Sequence, residues 1–176
     1  MMISVLVVED EPVAAAAHRA YVERVSGFAV AGVAHTGRAG LRRLETGPVD
    51  LVLLDFKLPD MHGLDVCRAM RAAGIPTDVI AVTSVRDLSA VHSAVSLGIV
   101  QYILKPFTFR SLREKLERYA EYHAAVAQPR PAAAQSEVDE MLATLHRVDA
   151  SGLPSGFGAE TLRAVTAVLQ STPDGV

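Results

Sequence analysis

The chain has 176 residues, of which 50% are hydrophobic and 21% are charged, and its net charge is −3 at pH 7. This length suits one ordinary domain with some residues to spare, and the composition is typical of a soluble globular protein with a full core. Because the net charge is negative, the chain as a whole has no basic character that would attract it to nucleic acid or to an anionic membrane.

Cysteine usage and the N-terminal residues indicate the compartment. The single cysteine, Cys67, cannot form a disulfide within the chain, which favours a reducing environment. The apolar N-terminal residues lead directly into Glu9, Asp10 and Glu11 and lack a basic leader, unlike a signal peptide. No apolar run approaches the roughly eighteen residues needed to cross a bilayer. We therefore expect a cytoplasmic protein with no membrane association.

Strand-like and helix-like segments alternate along the first part of the chain. Pro12 suits the first position of a helix, and Gly27 and Gly98 suit positions at which helices end. The run Leu-Val-Leu-Leu at 51–54 has the length of a strand that is buried on both faces. The strands are predicted at 3–8, 28–34, 51–54, 78–83 and 99–104, and the helices at 12–26, 36–46, 63–73, 87–97 and 108–127.

Five strands alternating with five helices predict an α/β fold. The expected architecture is a doubly wound, five-stranded parallel sheet of strand order 2-1-3-4-5, with right-handed crossovers and helices on both faces. A linker and a short α-helical C-terminal segment are expected to follow this unit.

Polar residues stand at the ends of four predicted strands. Glu9 and Asp10 follow the first strand and Asp55 follows the third, while Thr83 ends the fourth and Lys105 follows the fifth. In a doubly wound sheet, ligands bind outside the carboxyl ends of the strands where the strand order reverses, here between the first and third strands. We therefore expect these side chains to share one edge of the sheet.

Carboxylates brought this close repel one another and require a cation. Oxygen ligands that stay partly hydrated favour Mg²⁺ over zinc, and the six histidines show no pair at metal-ligand spacing. We expect Glu9 and Asp10 to hold the ion largely through its waters, with Asp55 and the backbone carbonyl of Lys57 as direct ligands.

The sequence also contains the run LPDMHG at 58–63, Tyr102 three residues before Lys105, and Pro106 directly after Lys105. With these elements added to the strand-end residues, the chain resembles the receiver domain of two-component response regulators. The resemblance covers about residues 1–122 and implies that Asp55 accepts a phosphoryl group from a sensor histidine kinase, with Mg²⁺ as cofactor. It also implies a cis peptide bond between Lys105 and Pro106. The resemblance rests on the acidic pair Glu9 and Asp10, the acceptor Asp55, the run LPDMHG at 58–63, Thr83, Tyr102 and the Lys105–Pro106 pair.

The chemistry of such a transfer suits these residue types. Aspartate is a poor nucleophile, so the rate must come from positioning and from neutralising charge on the phosphoryl oxygens. Lys105 is expected to cancel part of that charge, Thr83 to bond a phosphoryl oxygen after transfer, and Tyr102 to enter the space that Thr83 leaves. The switch would then act on the face formed by the fourth helix, fifth strand and fifth helix. Such a protein is not an enzyme but a phosphoacceptor that assists its own phosphorylation and dephosphorylation.

The composition changes after residue 122. An extended helix end and a Pro/Ala linker are predicted at 123–135, since Pro129 and Pro131 break the helix. An amphipathic linker helix at 136–148 needs a partner surface, and we expect a homodimer through this helix, the fifth helix or both.

The last residues, 149–176, resemble the start of the DNA-binding domain in the citrate and C4-dicarboxylate branch of response regulators. The resemblance rests on Gly-Leu-Pro followed by Glu-Thr-Leu. A helix-turn-helix needs at least two further elements, so we expect a truncated domain here and DNA binding only through a full-length C-terminal domain.

Two functions from different classes remain open. The first is a phosphorylation-switched transcription regulator, with a di- or tricarboxylate signal implied by resemblance alone. The second is a receiver-like interaction module that is never phosphorylated. An aspartyl-nucleophile phosphatase is disfavoured because Lys57 stands two residues after Asp55, where a second acid would be needed. A dinucleotide-binding domain is disfavoured because no Gly-rich turn follows the first strand.

Overall fold

The computed structural model of the chain describes residues 2–84 and 97–126. The strands in these ranges are all parallel and form one sheet of order β2-β1-β3-β4-β5, which confirms the predicted fold class and strand order. The elements are β1 (Ile3–Val8), α1 (Pro12–Glu23), β2 (Phe28–Ala34), α2 (Gly37–Thr46), β3 (Leu51–Asp55), α3 (Gly63–Ala72), β4 (Asp78–Thr83), β5 (Ile99–Leu104) and α4 (Phe109–Val126).

The element boundaries differ from prediction at a few positions. The third strand includes Asp55 itself, and the first helix ends at Glu23 rather than near Ser26. The reason for the early end is a turn in which the Arg24 N–H donates to the Tyr21 carbonyl, before a glycine at positive φ closes the connection. The helix predicted at 87–97 lies outside the described residues except for its last residue. The segments predicted at 136–148 and 149–176, and all but the first residues of 123–135, also lie outside them.

The two faces of the sheet bury different sets of helices. Alternate residues of a strand point to opposite faces, so Val5 and Val7 pack with α1 and α4, whereas Leu6 and Val8 pack with α3. The whole of β3 is buried, and the four residues 51–54 are at most 1% exposed. The acid at the end of β3 is therefore held by the most completely buried strand.

Helix α4 has one buried side and one charged side. Its buried residues are Leu112, Leu116 and Tyr119, at the spacing that places them on one face. On its exposed side, ion pairs join residues four apart, such as Arg113 and Glu117 at 2.7 Å. None of the helices in the two described ranges combines the length and the apolar content needed to span a bilayer.

The Tyr119 hydroxyl ties α4 to the amino ends of the central strands. It lies 3.1 Å from the backbone carbonyl oxygen of Asp50 and 3.0 Å from Oδ2 of Asp78. Asp50 in turn accepts a hydrogen bond from the backbone N–H of Ser4 at 2.8 Å. One buried hydroxyl therefore links α4 to the segments that open β3 and β4.

Tyr119→Phe is expected to lower the free energy of unfolding by about 1 kcal/mol, because it removes a buried hydroxyl that serves two acceptors. Urea unfolding at pH 7 measures the effect. A Tyr119→Phe variant as stable as the wild-type chain would contradict this role.

Asp78→Asn is the matched control, since it keeps an oxygen acceptor for Tyr119. Burial raises the pKa of Asp78 in the folded protein, against the lowering effect of the Tyr119 hydrogen bond. A raised pKa means that the protonated form favours folding, and that this contribution is lost as pH rises through the folded pKa. The stability of Asp78→Asn relative to the wild-type chain should therefore rise as the pH increases from about 4 through the raised pKa of Asp78.

Candidate functional site

The register of the sheet brings three carboxylates to one edge. Val8 of β1 is paired with Leu54 of β3, so the residues that come next in the chain, Glu9 after β1 and Asp55 at the end of β3, lie side by side. One ligand oxygen from each of Glu9, Asp10 and Asp55 lies within 4.8 Å of the others. Glu9 is 1% exposed and Asp55 6%, whereas Asp10 is exposed. At such distances two carboxylates repel by roughly 3 kcal/mol at an effective dielectric near 20, so the cluster calls for a cation.

The ends of β4 and β5 complete this edge. Thr83 is paired with Leu104, and the backbone N–H of Lys105 donates to the Thr83 carbonyl at 2.8 Å. Thr83 is only 5% exposed. The hydroxyl-bearing and ammonium-bearing residues predicted at the site therefore lie at the same edge as the acids.

Lys105 bridges the two buried carboxylates directly. Its Nζ donates to Oε2 of Glu9 at 2.5 Å and to Oδ2 of Asp55 at 2.9 Å. Burial raises the pKa of Glu9, although the hydrogen bond from Lys105 opposes it. Burial alone would lower the pKa of Lys105, but its hydrogen bonds to Glu9 and Asp55 outweigh this effect and raise it. Lys105 is therefore charged at neutral pH and offsets part of the negative charge of the cluster.

The loop after β3 fixes Asp55 from the other side. The backbone N–H of Lys57 donates to Oδ1 of Asp55 at 3.1 Å, and Lys57 pairs with His62 in an isolated antiparallel bridge. The N–H of Gly63 donates to the Phe56 carbonyl at 2.9 Å. A Cβ atom at Gly63 would lie 2.7 Å from the Phe56 Cα and 2.8 Å from the Asp55 carbonyl oxygen, so glycine is required where the loop closes.

The residues around the start of α2 contact both the end of β1 and the loop after β3. The carboxylate of Asp60 accepts hydrogen bonds from the backbone N–H groups of Gly37 and Arg38 at 2.8 and 2.9 Å. The Arg38 hydrogen bond is the main reason that the pKa of Asp60 is lowered. Just before them, the ring of His35 donates from Nδ1 to the backbone carbonyl of Glu9 at 2.9 Å. The start of α2 therefore braces both the end of β1 and the loop after β3, an arrangement that the sequence did not reveal.

His18 is a further residue of the site that sequence reasoning missed. It is 6% exposed, its Nδ1 lies 3.5 Å from Oε2 of Glu9, and its ring stacks on Phe107. Burial lowers the pKa of His18 to about 4, so the imidazole is neutral at pH 7. A signal was present in the sequence, because His18 is spaced from Ala15 and Val22 as the buried face of a helix requires.

Tyr102 lies apart from the acid cluster. It is on β5, its register partner is Ala81 of β4, and it is 43% exposed. The peptide bond between Lys105 and Pro106 is cis, as the resemblance implied. The structure therefore places the acids, Thr83 and the Lys105 ammonium at one edge and leaves the aromatic residue Tyr102 at the surface of β5.

This combination of fold and strand-end residues is that of a signalling receiver domain. The family model of the response regulator receiver domain matches residues 5–117, and the chain therefore belongs to this family.

Relatives with curated names are regulators. The chain is 36% identical over 162 residues to the "Probable C4-dicarboxylate response regulator DctR" of Priestia megaterium, which covers 92% of this chain and 71% of that protein. It is 29% identical over 171 residues to the "Transcriptional regulatory protein MalR" of Bacillus subtilis (strain 168), covering 97% of this chain and 72% of that protein.

Solved receiver structures share the fold. A CheY-like response regulator receiver domain protein from Methanospirillum hungatei JF-1 superposes with a TM-score of 0.66 at 26% identity, covering 72% of this chain and all of that one. The response regulator DrrB, an OmpR/PhoB homolog from Thermotoga maritima, superposes with a TM-score of 0.61 at 26% identity, covering 70% of this chain and 54% of that one.

Proposed function

We propose that this chain is the phosphorylation-controlled part of a response regulator, in which Asp55 accepts a phosphoryl group from a sensor histidine kinase. The observation that carries the proposal is the arrangement of Lys105, whose ammonium is bonded to both Glu9 and Asp55 at the end of the most buried strand. A fixed positive charge next to a carboxylate is the feature that phosphoryl transfer needs, because catalysis of this reaction depends on positioning and charge neutralisation.

The acidic cluster fits a magnesium ion. Its ligand atoms are all carboxylate oxygens within 4.8 Å of one another, and the exposure of Asp10 leaves the site open to water. We assign Glu9, Asp10 and Asp55 to the ion, with the backbone carbonyl of Lys57 as a further ligand. When bound, Mg²⁺ would neutralise charge on the phosphoryl oxygens.

The transfer itself forms one bond and breaks one. A carboxylate oxygen of Asp55 attacks the phosphorus atom, and the bond between phosphorus and the leaving group breaks, with its electron pair departing on the leaving group. Lys105 offsets the charge that gathers on the phosphoryl oxygens, and the N–H of Lys57 holds Oδ1 of Asp55 in place.

Switching is assigned to Thr83 and Tyr102. The Thr83 hydroxyl would move to donate a hydrogen bond to a phosphoryl oxygen. Tyr102 would then move from the surface into the space that Thr83 leaves. Such a change shifts a two-state equilibrium only by the difference in bonding between the states. We assign the surface that would change to β5, α4 and the helix predicted at 87–97, which lies outside the described residues except for its last residue.

Beyond the receiver domain at 1–122, we assign 123–135 to a helix end and linker, 136–148 to a linker helix that supports homodimerisation, and 149–176 to the start of a helix-turn-helix DNA-binding domain. The output would be regulation of transcription in the cytoplasm. We extend the proposal to a role in di- or tricarboxylate metabolism, and relatives named as C4-dicarboxylate response regulators support its dicarboxylate part.

Intact-mass measurement with a small phosphodonor such as acetyl phosphate tests the proposal. In the presence of Mg²⁺ we expect a gain of one phosphoryl group per chain. Chelation with EDTA should abolish the gain, and excess Mg²⁺ should restore it. A folded chain that gains no phosphoryl group at saturating donor and Mg²⁺ would contradict the proposal and favour the interaction-module alternative.

A further inference from the structure

His18 is a buried polar residue that lies beside the proposed acceptor site. The proposed phosphoryl transfer gives His18 no role. Its ring stacks on that of Phe107, with centroids 5.1 Å apart and an interplanar angle of 25°. Because Phe107 follows Lys105 and Pro106 in the chain, the imidazole packs from α1 onto the segment that carries the ammonium group of the site.

Glu9 connects His18 to the site. Its Oε2 atom accepts a hydrogen bond from Lys105 at 2.5 Å and lies 3.5 Å from Nδ1 of His18. The second distance is longer than the usual N–H···O range of about 2.7–3.2 Å. The other oxygen, Oε1, is 3.4 Å from the backbone nitrogen of Glu11. Since the Glu9 side chain is only 2% exposed, bulk water offers it little solvation, and it depends on these protein groups and on the ion proposed above.

A phosphoryl group on Asp55 would change how strongly the Lys105 ammonium is attracted to Asp55 relative to Glu9. The phosphorylated side chain carries roughly twice the negative charge of the carboxylate, at a residue that Lys105 already contacts at 2.9 Å. The ammonium is therefore drawn towards the phosphoryl oxygens, which takes a donor away from Glu9. Within the described residues, the other side-chain nitrogen beside this carboxylate is Nδ1 of His18.

We propose that His18 is a positioning residue that replaces Lys105 as the hydrogen-bond donor to Glu9 once Asp55 carries a phosphoryl group. This inference rests on the proposed function, because it concerns the phosphorylated state of the same site. The imidazole donates from Nδ1–H, remains neutral, and neither gains nor loses a proton. Stacking on Phe107 holds the ring in place, so a shift of a few tenths of an ångström closes the gap from 3.5 Å.

The first test measures stability in a double-mutant cycle and needs no phosphoryl group. His18→Phe keeps the stacked ring and removes the N–H group. His18→Asn removes the ring but keeps an N–H group at the same number of bonds from the backbone. With Lys105 present, Glu9 retains its donor, and the two variants should lower Tm by similar, small amounts. In a Lys105→Met background, His18→Phe should lower Tm by several degrees more than His18→Asn. Equal losses for the two variants in both backgrounds would overturn the proposal.

The second test reads His18 in the otherwise unaltered protein, which covers the case that Lys105→Met does not fold. Two-bond ¹H–¹⁵N spectra distinguish protonated from bare imidazole nitrogens, and the His18 signals are identified by their loss in His18→Asn. On phosphorylation, the Nδ1 signal of His18 should shift, whereas that of His35, which donates to the Glu9 backbone carbonyl at 2.9 Å, should change little.

An unchanged Nδ1 signal, in protein whose mass proves phosphorylation, would overturn the proposal, as would a proton on Nε2 in both states. A chain that cannot be phosphorylated contradicts the proposed function instead, and the stability cycle alone then decides the role of His18.

Discussion

The Asp55→Asn variant is expected to take up no phosphoryl group under conditions that fully modify the wild-type chain. The amide that replaces the carboxylate has no negative oxygen to attack phosphorus, so the step is blocked rather than slowed. The substitution should preserve the local fold, since an amide oxygen can still accept the hydrogen bond that the Lys57 N–H donates at 3.1 Å. Intact mass after incubation with acetyl phosphate and Mg²⁺ measures the uptake, and circular dichroism checks the fold.

Asp60→Asn is the matched control for this experiment. Asp60 lies in the loop that follows Asp55, and its carboxylate accepts hydrogen bonds from the backbone N–H groups of Gly37 and Arg38. The same acid-to-amide change there should leave the uptake of one phosphoryl group intact. Uptake by Asp55→Asn, or loss of uptake in Asp60→Asn with Asp55 unchanged, would show that the acceptor has been assigned to the wrong residue.

The sheet could be predicted from the sequence because each strand is recognisable from its own local pattern of residues. Runs of apolar residues with sharp polar ends define β3 and β4, and the order of strands follows from the alternation with helices. The same sharp ends place Glu9, Asp55 and Lys105 at one edge, since parallel strands end together. The direct bonds from Lys105 to both acids also depend on the strand order, because β4 lies between β3 and β5 and the long lysine side chain must reach across it.

Contacts between loops could not be predicted from the sequence, because loops have no periodic pattern of apolar residues. The hydrogen bonds from Gly37 and Arg38 to Asp60 join two connections whose relative position depends on the packing of α2 and α3 against the sheet. His18 is a different case. Its helical spacing indicates the buried face of α1, but the stacking partner Phe107 lies far away in sequence, so its approach to Glu9 depends on the tertiary fold.

Lys105→Met is expected to change metal binding and phosphoryl uptake in opposite directions. The ammonium lies against two of the carboxylates assigned to the ion, at 2.5 and 2.9 Å, so its removal relieves repulsion between two cations. Relief of even 1.4 kcal/mol lowers the Kd for Mg²⁺ about tenfold. The initial rate of phosphoryl uptake should fall by about 10²–10³-fold, the usual effect of losing one charge-stabilising donor at a reacting centre.

Calorimetric titration with Mg²⁺ and a time course of intact mass measure the two quantities on the same preparation. Lys57→Met is the matched control, because it removes an equal charge from an exposed side chain in the loop after Asp55 and keeps the backbone N–H and carbonyl. It should alter both quantities only slightly. If Lys105→Met instead weakens Mg²⁺ binding and uptake together, the ammonium serves to hold Glu9 and Asp55 in position. Tighter binding with slower uptake requires that its charge acts on the transferred group, because a loss of local structure would weaken both.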